Sequence, residues 1–155
     1  MSVSIAQKVA EIVSIVLMSM LAGTLFGLAW ATSGLDRKQF AGTLQLILPP
    51  LEEWFPPLCF ANLGVLIVLG ILARDSGFTL ASAVVGAIAV VALIVITVRG
   101  NVPINAEIKR WDMSNPPADL DDQVRRWQRF NSARSVIIYF AYVVLVTAVA
   151  VRSGH

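Results

Sequence analysis

Two short stretches of the chain hold the residue types best suited to chemistry. The first, Arg99-Gly-Asn-Val-Pro-Ile-Asn-Ala-Glu-Ile-Lys-Arg-Trp111, leaves a long apolar segment and sets Asn101 and Asn105 four residues apart around Pro103. On a continuing helix the two amides share a face, and the proline, having no N–H, frees a carbonyl near Arg99. Paired amides and a freed carbonyl at the mouth of a membrane bundle suit a polar ligand group. The alternative is plain helix termination, with the asparagines capping the broken ends. The second stretch, Arg125-Arg-Trp-Gln-Arg-Phe-Asn-Ser-Ala-Arg134, places Trp127, Asn131 and Arg134 at i, i+4 and i+7, one stripe of a helix entering the bilayer. An arginine in hydrocarbon is costly unless it snorkels or finds a partner, and Glu107, Asn105 and Glu11 are the candidates. Asn131 and Arg134 are therefore expected to face Asn101 and Asn105 across one polar pocket. The competing reading is a headgroup anchor of arginines and tryptophan, which suits Arg125, Arg126 and Arg129 in particular.

The elements that must position these residues are apolar. Four segments, Ile12 to Thr32, Leu58 to Ala73, Phe78 to Val98 and Ser135 to Val151, stand out against the ~20 residues a helix needs to cross hydrocarbon. The second reaches that length if it starts near Trp54. The fourth does so as part of a helix of about 30 residues, because Leu120 to Arg134 holds no proline or glycine to stop it. The reading is an all-α fold: a single domain over 1–155, a transmembrane four-helix bundle with spans near 12–32, 54–73, 78–98 and 131–151, its long fourth helix extending from the membrane. The first apolar stretch exceeds the ~7–15 residues of a signal peptide core, so it reads as a retained span. Between the first two spans, Phe40 to Leu48 is too short to cross and is expected at the interface or plugging the bundle, ahead of a proline-rich run from Pro49 to Pro57. The tight turn Arg74-Asp-Ser-Gly77 makes the second and third spans antiparallel neighbours.

Charge gives an orientation. Both termini and the Arg74 turn share one side with three basic residues, Lys8, Arg74 and Arg152, against nine on the other: Arg37, Lys38, Arg99, Lys109, Arg110, Arg125, Arg126, Arg129 and Arg134. The basic side, with the 99–134 connection, reads as cytoplasmic and the termini as outside, in a plasma (inner) membrane.

Composition excludes other classes. The chain is 57% hydrophobic and 14% charged, with a mean hydropathy of +0.74, where a soluble domain carries about 25% charged residues. Its main solvent is lipid. Basic residues alternate with acidic ones in the connections, which gives no surface for nucleic acid. Cys59 is the only cysteine, so dithiol chemistry is absent, and the only histidine, His155, leaves haem or a metal site without ligands. No phosphate loop, hydrolase elbow or HExxH motif occurs, and no cofactor is expected. Gly23 and Gly27 form a G-x-x-x-G whose first meaning is close helix packing and whose second is self-association. The apolar run Ala83 to Ile96 counts against an ion or proton pathway.

At Asn101-Val-Pro-Ile-Asn105 with Trp111 downstream, and at Arg126-Trp127 with Arg134, the sequence resembles the anthrone-oxygenase-like family of small four-helix membrane proteins. Members with an assigned activity oxidise anthrones, reduced polycyclic aromatics, to anthraquinones with molecular oxygen and no conventional cofactor. The resemblance implies that Asn101, Asn105, Trp111 and Trp127 bind substrate. Asn131 and Arg134 would then stabilise the enolate that meets oxygen, with Glu107 as the nominated base. The family position of Asn131 is often histidine, a base that asparagine does not replace. The expected partners are the lipid bilayer, a lipophilic small molecule, and either a second copy or another membrane subunit. A noncatalytic subunit that binds a partner helix or lipid is the alternative function.

Overall fold

The computed structural model describes residues 4–153, so His155 lies outside it. Helix α1 (Ile5–Ala31) starts where the Ser4 hydroxyl accepts the Gln7 amide at 3.1 Å. Helix α2 (Arg37–Leu72) starts at a reciprocal cap in which the Gln39 amide donates to Asp36 Oδ1 at 2.8 Å and the Asp36 amide to Gln39 Oε1 at 3.3 Å. Helix α3 (Gly77–Ile96) runs through a π-turn (Thr97–Asn101) into the short α4 (Val102–Ile108), and α5 (Leu120–Ser153) closes the fold. In the connection before α5, the Ser114 hydroxyl and amide both donate to Asp112 Oδ1, at 2.6 and 2.8 Å, and hold that carboxyl below its ordinary range.

The long helices bury seams with a spacing that alternates between three and four residues. In α5 the seam is Val124, Trp127, Asn131, Arg134, Ile138, Ala141, Leu145 and Ala148; in α1 it is Gln7, Glu11, Ser14, Met18, Leu21, Leu25 and Leu28. A repeat averaging 3.5 keeps one stripe against a neighbour along a gently supercoiled bundle. α1 packs between α2 and α5, and α3 packs between them on the opposite side. The outer faces carry exposed Phe26, Ile88, Val136 and Phe140, which belong in lipid. Among the described residues four helices are long and apolar enough to cross a membrane. The chain is an integral membrane helical bundle.

The structure differs from the sequence reading in the second span. Helix α2 is continuous for 36 residues, through Pro49, Pro50, Pro56 and Pro57. Its Phe40–Leu48 portion is the first part of that helix and not a separate interfacial segment. Each proline removes one helical hydrogen bond, a loss that neighbouring helices and side chains offset in membrane bundles. At 1.5 Å per residue α2 and α5 are each roughly 50 Å long, against roughly 30 Å of hydrocarbon. Both therefore project from the same membrane face, and their projecting ends form a second core.

That core gathers Leu28, Phe40, Leu44, Leu48, Ile104, Ile108, Val124 and Trp127. The membrane core, centred on Met18, Leu21, Leu66, Leu69, Leu93 and Ile138, lies beneath it. On α5 the seam positions between Trp127 of the upper core and Ile138 of the lower are Asn131 and Arg134. The polar residues sit at the junction of two apolar clusters.

Candidate functional site

The junction is built by the π-turn. The buried seam of α3 runs Thr79, Ala83, Gly86, Val90, Leu93, and the same alternation would continue at 97, 100, 104 and 107. From Thr97 the backbone takes one extra residue into a turn, closed by the Val102 amide donating to the Thr97 carbonyl. Gly100 and Ile104 stay buried, and beside them the buried face takes in Asn101, Asn105 and Ile108, while Glu107 turns outward. Gly100 permits the close approach this requires: a Cβ there would lie 2.6 Å from Cγ of Phe130.

Trp127 is the hub of the resulting network. Its indole N–H donates to Asn105 Oδ1 at 2.8 Å, its carbonyl accepts from Asn101 Nδ2 at 3.4 Å, and its ring meets Phe40 edge-on at 5.5 Å between centroids. Asn105 Nδ2 donates in turn to Glu52 Oε1 at 3.3 Å, while Lys109 Nζ reaches Glu52 Oε2 at 2.5 Å. The carboxylate on this network is thus Glu52, held from α2 at a point where Pro56 has freed the backbone carbonyl of Glu52 itself. Asn101 Oδ1 is buried with no hydrogen-bond partner, a state that costs free energy until a ligand or water fills it.

Arg134 enters the same junction from below and is 4% exposed. Its Nε and Nη2 both donate to Asn131 Oδ1, at 3.2 and 2.8 Å, and its Nη1 donates to Thr97 Oγ1 at 3.1 Å. The guanidinium carbon lies 5.9 Å from the ring centroids of Phe55 and Trp127, a cation–π arrangement that partly offsets desolvation. No carboxylate pairs with Arg134 among the described residues. Glu11, one sequence candidate for that role, pairs instead with Arg152 at the far membrane face, where Gln7 Nε2 also donates to it at 3.2 Å.

The structure therefore brings Asn101, Asn105, Trp127, Asn131 and Arg134 together. It places Glu107 apart from them, in an outer groove with Arg99, Pro103, Gln123 and Arg126. Trp111 packs against the upper core, and its carbonyl, with that of Ile108, accepts from Gln45 Nε2 at 2.8 Å. Sequence reasoning missed Glu52, Phe55 and Thr97 as members of the site. Glu52 and Phe55 were hidden by prolines that read as loop, although their spacing of three, one helical turn, was the available signal.

Residues 52–144 match the family described as anthrone oxygenase. The chain belongs to the anthrone oxygenase family. The matched region begins at Glu52 and takes in every member of the Trp127 and Arg134 networks except Phe40. Helix α1 and the first part of α2 lie outside the family match. No curated protein and no solved structure matches the chain significantly.

Proposed function

We propose that this chain is a membrane-embedded oxygenase acting on a lipophilic aromatic of the anthrone or quinol type. The observation that carries the reading is Arg134, a buried guanidinium at the junction of two apolar cores, fixed by Asn131 and Thr97 and lacking a carboxylate partner among the described residues. Such a group is arranged to receive negative charge that appears during a reaction, in surroundings where water does not screen it.

In this reading an anthrone-like substrate loses a proton from its ring CH2, and the resulting enolate oxygen is stabilised by Arg134 and by the amides of Asn101 and Asn105. The electron-rich carbon forms a C–O bond with molecular oxygen, which takes up the electrons, and the peroxide then loses water. The balance is CH2 plus O2 to C=O plus H2O. Glu52 is the proton acceptor that the hydrogen-bond network favours, since it touches Asn105 directly. The Trp127 indole packs one wall. The basic face, with the 99–134 connection, is assigned to the cytoplasm in a plasma (inner) membrane; a cysteine introduced at Ser114 should react with an impermeant maleimide only after cells are opened.

The test is oxygen uptake and quinone absorbance with anthrone, on protein purified in mild detergent, alongside mass spectrometry of copurified molecules. Quinone formed one-for-one with oxygen consumed, and lost in Arg134→Gln, is the expected result. A colourless, inert protein that brings a stoichiometric partner chain would end the oxygenase reading. It would favour a subunit role, for which the supporting observation is that Gly23 and Gly27 have no intramolecular neighbour within 4 Å of a Cβ built there. Their G-x-x-x-G faces outward, where another helix can approach; Gly23→Leu or Gly27→Leu would then release that partner.

A further inference from the structure

The outer groove that holds Glu107 is built on the contact that holds the π-turn. Phe130 of α5 lies against Gly100, and one helical turn earlier on α5 Arg126 and Gln123 face Pro103 and Ile104, with Arg99 reaching the groove from the end of the membrane span. The groove encloses about 230 Å³. It continues along α5 into a second groove of about 410 Å³, which shares Gln123 and Arg126 and adds Arg129. Arg125 is ion-paired with Asp122, and Asp119 Oδ2 accepts from Gln123 Nε2 at 3.1 Å. Arg99, Arg126 and Arg129 have no ion pair among the described residues, and Glu107 pairs with none of them. Beside Arg99 the outer face of the same span carries Val95, Val98 and Val102, all exposed. The unpaired cations thus stand at the head of an apolar strip.

We propose that this groove binds an anionic glycerophospholipid, with the phosphate on Arg99 and Arg126 and the acyl chains along Val95, Val98 and Val102. Guanidinium groups give a phosphate paired, charge-assisted hydrogen bonds, and a basic recess between helices at the membrane surface is suited to a lipid headgroup. Charge complementarity selects a headgroup of net negative charge. The three arginines without an ion pair outnumber Glu107 and Asp119, the two lining acids that also lack one. The apolar strip selects a lipid over free phosphate, which has no hydrocarbon to lay on it. A headgroup seated here lies against Gly100 and Pro103, and so braces the turn that sets Asn101 and Asn105. The assignment does not depend on the oxygenase reading.

The probes are dioleoyl phosphatidylglycerol and dioleoyl phosphatidylethanolamine, equal in chains and different in charge, titrated against the full chain in mild detergent and counted by native mass spectrometry. The wild-type protein should hold one phosphatidylglycerol at least about tenfold tighter than phosphatidylethanolamine, the scale of one charge-assisted hydrogen bond. The Arg99→Gln, Arg126→Gln double variant, changed at two exposed positions, should fold normally and lose that preference. Lys38→Gln with Arg110→Gln removes the same charge from exposed positions outside the groove and should keep it. Glu107→Gln should tighten phosphatidylglycerol, because it removes a negative charge beside the phosphate, and weaken phosphatidylethanolamine, whose ammonium loses a partner. An equal loss in both double variants would reduce the groove to general attraction by a basic face and overturn the site. So would a preference for phosphatidylethanolamine, or displacement of the bound lipid by inorganic phosphate at millimolar concentration. Anthrone oxidation is measured separately on the same samples, so an inert protein that still selects phosphatidylglycerol keeps this site and ends only the oxygenase.

Discussion

The indole N–H of Trp127 donates to Asn105 Oδ1 at 2.8 Å, across the junction between α5 and α4. This bond decides how Asn105 is oriented, because the amide oxygen is taken by the indole and the amide nitrogen is then left to meet Glu52. One contact thus orders three helices around the junction.

Asn105→Ala should cost about 1–3 kcal/mol of stability, the range for stranding a buried donor. Trp127→Phe removes donor and bulk together and adds the loss of the Phe40 contact. In a double-mutant cycle the pair should couple; thermal unfolding in detergent measures it, and simple additivity would show that the bond contributes nothing.

Arg134→Lys keeps the charge but loses the planar fork that holds Asn131 and Thr97 together. Anthrone oxidation should fall by about 100-fold or more, the effect of removing one well-placed charge stabiliser, with helical content unchanged by circular dichroism. Activity near that of the wild-type protein would return Arg134 to the role of a membrane anchor.

The two carboxylates should behave differently. Glu52→Gln is expected to lower turnover by about 10²–10⁴-fold, the usual contribution of a general base. Glu107→Gln, in the outer groove, should leave the rate within about twofold, a change of under 1 kcal/mol. Steady-state rates against pH separate a proton acceptor from a merely structural acid, since only the former removes a limb of the profile. The reverse ranking would restore Glu107 as the base.

Gly100→Ala tests the π-turn itself. With Phe130 at 2.6 Å from the new methyl group, the helix must shift or the ring must move, at about 1–3 kcal/mol. Because the turn sets the register of Asn101 and Asn105, activity should fall more than stability. A variant with unaltered turnover would show that the register does not depend on this contact.

At the far membrane face, Glu11 is 2% exposed and ion-pairs with Arg152. Glu11→Gln should destabilise the bundle by about 1–3 kcal/mol, less than for a fully buried pair because the Arg152 side chain left behind is 21% exposed, while the folded fraction binds substrate normally. A loss of specific activity greater than the loss of folded protein would connect this pair to the site.

The sequence by itself determined the class of molecule, since apolar segments of spanning length leave the backbone no alternative to helix in lipid. It also put Asn101, Asn105, Trp127, Asn131 and Arg134 on shared helical stripes, and nominated Glu107 and Trp111 beside them as candidates. Tertiary structure decided the rest. The prolines of α2 read as a break, yet the helix persists because packing against α1 and α3 offsets the missing hydrogen bonds, and only that persistence delivers Glu52 to Asn105 and Phe55 to Arg134. The inward turn of Asn101 and Asn105 and the outward turn of Glu107 depend on one extra residue in a π-turn. No periodicity in the sequence announces that residue, because the turn is held by contact with another helix, where Phe130 lies against Gly100.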